Sequence, residues 1–286
     1  MAEMKYISEL LSTDIATQGS LLIIKKIYDT LVQEVRKVLI PRSEAAVVIG
    51  PSGIPGSSID IDRETPNTLK IREIAEGADI TLDQQTYDSV NVKPKKYGVG
   101  VRITKEMLED AKWNLLQRNL ETAGKRFAEN ETNLVLVQLD SAATTNTGGA
   151  ALTISDITKM MNDIEEEDYT PTTLLVGNEV MQDLRNIDTF VEANKLGSRE
   201  MLETGYVGII YGLNVIKYSS NAAPSTTYSK YAYVFDNKQA YYIVEKRPLT
   251  IENFDLPSND MSAAVCTQRI AAQIIRTPAV SKTTTT

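Results

Sequence analysis

The chain has 286 residues, 42% of them hydrophobic, and a formal net charge of −8, so it is long enough for one large core or two smaller ones. The negative charge argues against a surface that attracts nucleic acid. There is no histidine and one cysteine, Cys266, which removes the commonest general base and excludes an internal disulfide or a multi-cysteine metal site. Cys266 lies in an apolar run, which favours a buried thiol. We expect a soluble, acidic protein made inside a cell, without a signal peptide or a membrane span.

The first predicted element is a helix within residues 1–40. In "SLLIIKKIYDTLVQEVRKVLI" apolar residues, among them Ile24, Ile27 and Leu31, recur at the three- and four-residue spacing of one helix face, and Pro41 ends the pattern. Two interpretations stay open: an ordinary core helix, or an N-terminal arm whose apolar face docks on another subunit.

Residues 42–96 change to a period of two. Ile59 and Ile61 alternate with polar residues in "SSIDID", Leu69 and Ile71 do so in "TLKIREI", and "SVNVKPK" continues the pattern. Glycine and proline clusters separate these runs, which predicts an extended antiparallel β-arm. Because a two-stranded ribbon alone is marginal in water, its apolar face must pack on its own chain or on a neighbouring chain. The sequence slightly favours the neighbour.

A strand, Tyr97–Ile103, is predicted next, followed by an unusually long helix. Thr104 is the candidate N-cap, and one apolar face continues to Leu136. A helix over 104–136 would be about 50 Å long, enough to cross a whole domain.

The small-residue stretch 141–152 predicts a domain boundary, and an α/β pattern follows it. Ser155 and Asn178 are the candidate N-caps of two short helices, and "TLLV" between them reads as a buried strand. Further strands are predicted in "LNVIKYS", "YAYVFD", "AYYIVEKRPLTIENF" and "AAVCTQRIAAQIIRT". The C-terminal "KTTTT" is predicted to be disordered.

The sequence offers little catalytic chemistry. The acidic run at 165–168 is interpreted as a solvated helix end, and the lysines of "KPKK" (93–96) as solvated edge-strand residues. Eight of the 13 tyrosines lie between Tyr206 and Tyr242, which suits either packing in the second domain or a subunit interface. No nucleophile and base converge, so the chain is a poor candidate for an enzyme.

The order of these elements resembles the Hong Kong 97-type fold of the major capsid proteins of tailed double-stranded DNA viruses of bacteria and archaea. The resemblance covers nearly the whole chain and rests on order and spacing rather than on any single motif. The stretches that carry it are "AEGADI", "KPKKYGVGVRITKEML", "TPTTLLVGNEVMQDLRN", "GIIYGLNVIKYSSNAAP", "AYYIVEKRPLTIENF" and "QRIAAQIIRTPAV".

The resemblance implies an α+β fold with four parts. These are an N-terminal arm (1–40), an extended β-hairpin loop (41–96), a peripheral domain with a long spine helix (97–145 and 241–286) and an apical domain (146–240). The implied subunit-interface residues are Ile24, Ile27, Leu31, Ile59, Ile61, Leu69, Ile71, Glu76, Tyr206 and Tyr211.

The implied function is structural. Hexamers and pentamers of the chain would close into an icosahedral shell in the host cytoplasm, with a portal and a separate scaffolding protein as partners. The virion would enclose double-stranded DNA without sequence-specific binding, and the protein would need no cofactor and no membrane. The alternatives are an encapsulin-like cellular nanocompartment, a metal-dependent enzyme using the carboxylates of 165–168, and a tail-tube or adhesin protein.

Overall fold

The computed structural model describes residues 42–54, 56–64, 69–77, 79–104, 106, 115–141, 144–187, 208–256 and 260–285. Its helices and strands form a mixed α+β fold, as predicted. The helices are α1 (Leu115–Leu139), α2 (Ile154–Glu165) and α3 (Asn178–Asn186). The strands are β1 (Val47–Ile49), β2 (Ile59–Glu64), β3 (Tyr87–Val92), β4 (Lys95–Thr104), β5 (Thr144–Thr147), β6 (Thr173–Val176), β7 (Ile209–Ile210), β8 (Leu213–Lys217), β9 (Tyr231–Phe235), β10 (Tyr241–Leu256), β11 (Met261–Ile274) and β12 (Val280–Thr284).

Among the described residues, the first sheet has four strands in the order β1-β10-β11-β4. Strands β10 and β11 form a long antiparallel hairpin, and α1 packs on this sheet through Ala123 and Phe127. Cys266 is fully buried in that contact, which confirms the predicted buried thiol, and burial raises the pKa of the thiol to about 11. At neutral pH the thiol is therefore protonated and unreactive.

The pairing of β10 with β11 shifts between Glu245 and Thr250. Pro248 lies within that interval and has no N–H to donate to a ladder, so a regular register cannot pass through it. Pairing is regular again from Thr250 to the end of the hairpin.

In the part of the chain that the structure describes, the second sheet has six strands in the order β5-β12-β9-β6-β8-β7. Every residue of β6, the predicted "TLLV" strand, is buried. Helices α2 and α3 contribute Ile157, Met160, Ile164, Val180 and Leu184 to the core that covers this sheet. The strand between two short helices follows the prediction.

The C-terminal strand corrects two predictions. The segment expected to be disordered forms β12, which pairs with β5 on one side and β9 on the other. This strand therefore lies in the six-stranded sheet, whereas the resemblance implied that 241–286 belongs to the peripheral domain. Threonine is β-branched and suits a strand, and the two neighbouring strands supply the hydrogen bonds that a polar tail would otherwise take from water.

The two larger sheets meet at a cluster rich in tyrosine. The last turns of α1 contribute Leu136 and Leu139, which pack among residues from both sheets. From the tyrosine-rich segment 206–242, this cluster contains Tyr218, Tyr228, Tyr233 and Tyr241, and Tyr231 packs against it. For these five, packing inside the chain is the correct interpretation of the tyrosine-rich segment.

The ends of the helices differ from prediction in detail. Helix α1 continues to Leu139, three residues beyond the predicted Leu136, while Thr104 is the last residue of β4. The start of the predicted helix falls on residues outside the described ranges. Thr153 caps α2 in place of Ser155, because Thr153 and Asp156 exchange side-chain-to-backbone hydrogen bonds in a capping box.

Helix α3 includes the predicted cap, Asn178, as its first residue, and Gly177 occupies the N-cap position. A Cβ atom at Gly177 would lie 2.4 Å from the carbonyl oxygen of Ser229. Glycine is therefore required by the close approach of the two backbones.

Candidate subunit interface

The third sheet is the antiparallel pair β2–β3, which we call the loop base. Ile61 and Val92 from this pair are buried in one cluster with Val244 and Ile275, and Ile59 is partly buried against it. At the loop base, therefore, the apolar face that the sequence slightly favoured placing on a neighbouring chain is covered by this chain. Ile59 and Ile61 hold the loop to its own subunit.

Polar contacts reinforce the loop base. The Arg63 guanidinium donates to the carbonyl oxygen of Ile275 at 3.0 Å and, through Nε, to Asp88 at 3.0 Å. The hydrogen bonds from Arg63 hold the pKa of the Asp88 carboxyl below its usual range. Lys246 donates to the carbonyl oxygen of Gly56. The Arg63 contact joins the loop base to the residue after β11, and the Lys246 contact joins the segment before β2 to β10.

Beyond the loop base, residues 69–77 and 79–86, which we call the loop tip, form no regular strand. The strand predicted in "TLKIREI" is therefore wrong. The ladder of β2 and β3 ends at the pair Glu64–Tyr87, and period-two alternation does not make a strand where no partner strand lies alongside. The chain reverses at Glu76 and Gly77, whose φ of 80° favours glycine.

The loop tip exposes large apolar side chains. Leu69 and Ile71, both predicted interface residues, are exposed, and so is Glu76 at the turn. Three further exposed residues, Ile74, Ile80 and Leu82, were not predicted, although Ile80 and Leu82 alternate with polar residues in "ADITLDQ". The exposed fractions are Leu69 62%, Ile71 105%, Ile74 44%, Ile80 70% and Leu82 91%.

The carboxylate of Asp83 joins the two limbs of the loop tip. The Arg72 guanidinium donates to both oxygens of Asp83, at 2.9 and 3.2 Å, and the backbone N–H of Lys70 donates to Asp83 Oδ2 at 3.1 Å. These bonds, the one from Arg72 first, lower the pKa of the Asp83 carboxyl. The bridge spans 11 residues of sequence between Arg72 and Asp83 and was not anticipated.

The segment that leads into the loop is fixed by a buried polar cluster. Arg42 donates to Glu131 of α1 at 2.8 and 2.9 Å and to Glu245 of β10 at 3.0 Å. Gln268 donates to the same carboxylates, at 2.8 Å to Glu131 and 3.3 Å to Glu245. Burial of the Arg42 guanidinium disfavours its charge, but the two carboxylates more than offset this and raise the pKa of Arg42.

The β7–β8 turn is a second exposed surface. Tyr211 is 55% exposed and Ile209 70% exposed. Tyr211 and Gly212 both have positive φ, the geometry of a two-residue hairpin turn. Tyr211 thus agrees with a surface position, while Tyr206 and the helix residues Ile24, Ile27 and Leu31 lie outside the described residues.

The described residues offer no metal site: they hold no group of three or more acidic, cysteine or histidine side chains that could ligate an ion. The side chains of 165–168 are exposed at the end of α2. No helix in the described part of the chain is long and apolar enough to cross a membrane.

The sequence matches the family model described as "Phage capsid protein" over residues 86–272. The chain belongs to the phage capsid protein family. Among curated proteins, none matches this capsid protein.

Solved structures share the fold of this capsid protein at low sequence identity. The mature capsid of bacteriophage PhiM1 matches with a TM-score of 0.65 at 12% identity, covering 84% of each chain. The capsid of cyanophage P-SCSP1u matches at 0.64 and 14% identity, covering 85% of this chain and 88% of that one. A virus-like particle from Pyrococcus furiosus matches at 0.60 and 14% identity, covering 91% and 99%.

The fold is therefore that of the Hong Kong 97-type capsid proteins, as the sequence resemblance implied. The chain is a major capsid protein that forms the head shell of a phage. It is a structural component of the virion and not an enzyme, and it works as a homo-oligomer.

Proposed function

We propose that the loop tip is the contact by which one subunit of the shell holds its neighbour. The observation that carries the proposal is the exposure of Leu69, Ile71, Ile80 and Leu82 on one short segment. Exposed apolar side chains concentrated in this way mark a protein contact. The loop base packs on its own subunit. A neighbouring subunit that binds the loop tip is therefore connected through the loop base to the first sheet.

The remaining parts take the roles that the resemblance implies, with one revision. Residues 1–40 are the N-terminal arm and 41–96 the extended loop. Helix α1 is the spine helix of a peripheral domain formed by 97–145 with β10 and β11. The apical domain comprises 146–240 together with β12, because β12 completes its sheet. In pentamers and hexamers, the apical turn at Ile209 and Tyr211 faces a neighbouring subunit.

The partners follow from the same proposal. Hexamers and pentamers close into an icosahedral shell in the host cytoplasm, with a portal and a separate scaffolding protein. The shell encloses double-stranded DNA without sequence-specific binding. The net charge of −8 supports this, because extensive phosphate contacts would hinder the movement of DNA during packaging.

Site-specific photo-crosslinking tests the loop contact. A benzophenone side chain at Ile71 of the assembled protein should join two subunits, and mass spectrometry should place the second end on another copy. The same group at Tyr242, an aromatic residue that packs partly buried against the loop base, is the control and should crosslink within one chain. Crosslinks from Ile71 confined to its own chain would overturn the proposal.

Electron microscopy of the assembled protein tests the wider assignment. Closed shells with five-fold and six-fold clusters, protecting DNA from nuclease, are the expected result. A shell that retains a protein cargo in place of DNA would support the encapsulin-like alternative, and open rods would support a tail-tube protein.

A further inference from the structure

Asp83 is the point where the two limbs of the loop tip are joined. Its carboxylate accepts two hydrogen bonds from the Arg72 guanidinium and one from the backbone N–H of Lys70. A forked guanidinium on both carboxylate oxygens fixes direction as well as distance. The hydrogen bond from the Lys70 N–H on the first limb to Asp83 on the second limb joins the two limbs. The ladder hydrogen bonds join β2 and β3 in the loop base in the same way.

This bridge determines where the exposed apolar side chains lie relative to one another. Lys70 and Arg72 alternate with Leu69 and Ile71 along the first limb, and Asp83 follows Leu82 directly on the second. Fixing Arg72 and the Lys70 backbone against Asp83 therefore fixes the backbone that carries all three apolar residues.

We propose that Asp83 is a positioning residue for shell assembly: its bridge to Arg72 and to the Lys70 backbone holds the loop tip in the form that contacts a neighbouring subunit. The inference rests on the proposed role of the loop tip. An exposed ion pair adds little to the stability of the subunit that carries it. Ordering a segment before contact, however, strengthens binding, because the cost of ordering no longer falls on the contact.

The first test compares Asp83→Asn with Asp79→Asn. Both variants remove one negative charge from the same limb, and Asp79 is an exposed carboxylate. We expect Asp83→Asn to raise the concentration needed for assembly about tenfold, as the ordering cost returns to the contact. Asp79→Asn should assemble like the unaltered protein. Light scattering against protein concentration measures both.

The second test separates positioning from stability. The melting temperature of the unassembled subunit should be the same for Asp83→Asn, Asp79→Asn and the unaltered chain. An Asp83→Asn subunit that melts at a clearly lower temperature would show an ordinary structural role and overturn the proposal.

The third test is a charge exchange. Arg72→Asp and Asp83→Arg should each impair assembly, and the double variant should recover part of the loss because the side-chain bridge is restored in reverse. Recovery remains partial, since an arginine cannot accept the Lys70 N–H bond. A double variant no better than the sum of the two single losses would contradict the bridge.

The outcomes distinguish this inference from the proposal on which it rests. If Ile71 crosslinks to a neighbouring subunit but Asp83→Asn assembles like Asp79→Asn, the positioning role is wrong and the loop contact stands. If Ile71 crosslinks only within its own chain, the loop contact itself is wrong and the role of Asp83 falls with it.

Discussion

The loop tip and the C-terminal strand β12 place their side chains in opposite ways. Of the large apolar residues of the loop tip, Ile71 and Leu82 are almost completely exposed. In β12, Ser281 and Thr283 are polar and completely buried. Apolar side chains thus face solvent in one region while hydroxyls lie in the interior of the other.

The difference comes from the neighbours that each segment has within the chain. Strand β12 lies between β5 and β9, and its hydroxyls have partners: Ser281 donates to Asp163 at 3.0 Å, and Thr283 donates to the carbonyl oxygen of Asn146 at 3.2 Å. A buried polar group with a partner is tolerated. Within the described part of the chain no strand pairs with the loop tip, and its large apolar side chains are exposed.

The largest effect should follow from removing β12. A chain that ends after Ala279 loses both ladders of β12, so β5 loses its pairing with β12 and β9 keeps only its pairing with β6. We expect the loss to approach the whole stability of a typical domain, about 5–15 kcal/mol, so that little folded subunit is recovered. Soluble yield and circular dichroism measure this. A chain that ends after Thr285 keeps the strand and should fold normally; a truncated subunit with an unchanged melting temperature would mean that β12 is dispensable.

A smaller loss should follow from Ile61→Ala in the loop base. Ile61 is buried with Val92, Val244 and Ile275, so the substitution leaves a cavity and should cost about 2–5 kcal/mol. Urea denaturation of the unassembled subunit gives the value. Tyr87→Ala, at the exposed end of the same ribbon, should cost much less. Equal stability of the two variants would show that the loop base does not pack on its own subunit.

Thr283→Val tests how much the side-chain hydrogen bond of Thr283 contributes to the stability of the sheet that contains β12. Valine has nearly the same shape, so the substitution mainly removes the hydrogen bond to the carbonyl oxygen of Asn146, at a cost of about 0.5–1.5 kcal/mol. Thr284→Val, on the more exposed face of the strand, is the matched control. If Thr283→Val instead raises the free energy of unfolding by a clear margin, burying an apolar side chain at this position stabilises the fold more than the hydrogen bond does.

Sequence patterns predicted the elements whose signal is local. The period-two strand β4, the continuous apolar run of β6 and the one-sided face of α1 need no distant partner to be recognised. Strand β12 escaped prediction because a threonine-rich run gives no apolar signal and its partners are far away in sequence. The Arg42 cluster was not predicted for the same reason. Arg42 is 89 residues from Glu131 and 203 residues from Glu245 in the sequence.

The candidate interface was predicted in part, and the same physics explains which part. Alternation identified Leu69 and Ile71 as an uncovered apolar face, and in the structure both are exposed. Alternation also identified Ile59 and Ile61, which the chain covers with residues of β10 and of the segment after β11. A period of two shows that one face of a ribbon is apolar, but not which chain covers it.

The smallest effect on stability is expected from a triple serine variant of the loop tip that should abolish assembly. Replacing Leu69, Ile71 and Leu82 with serine alters exposed side chains, so the free energy of unfolding of the unassembled subunit should change by no more than about 0.5 kcal/mol. Shells should not form, because the contact with the neighbour loses its apolar surface. Denaturation of the unassembled subunit and light scattering of the concentrated protein measure the two quantities.

The matched control for that triple variant is Thr81→Ser with Gln84→Ser, which alters exposed polar side chains of the second limb of the loop tip and should leave assembly intact. If the triple variant loses several kcal/mol of stability, the loop tip packs within its own subunit as the loop base does, and the contrast with β12 disappears. If it keeps both stability and assembly, the exposed side chains have no partner in the shell. Loss of assembly at unchanged stability is the one result that assigns the uncovered face of the loop tip to a second copy of the chain.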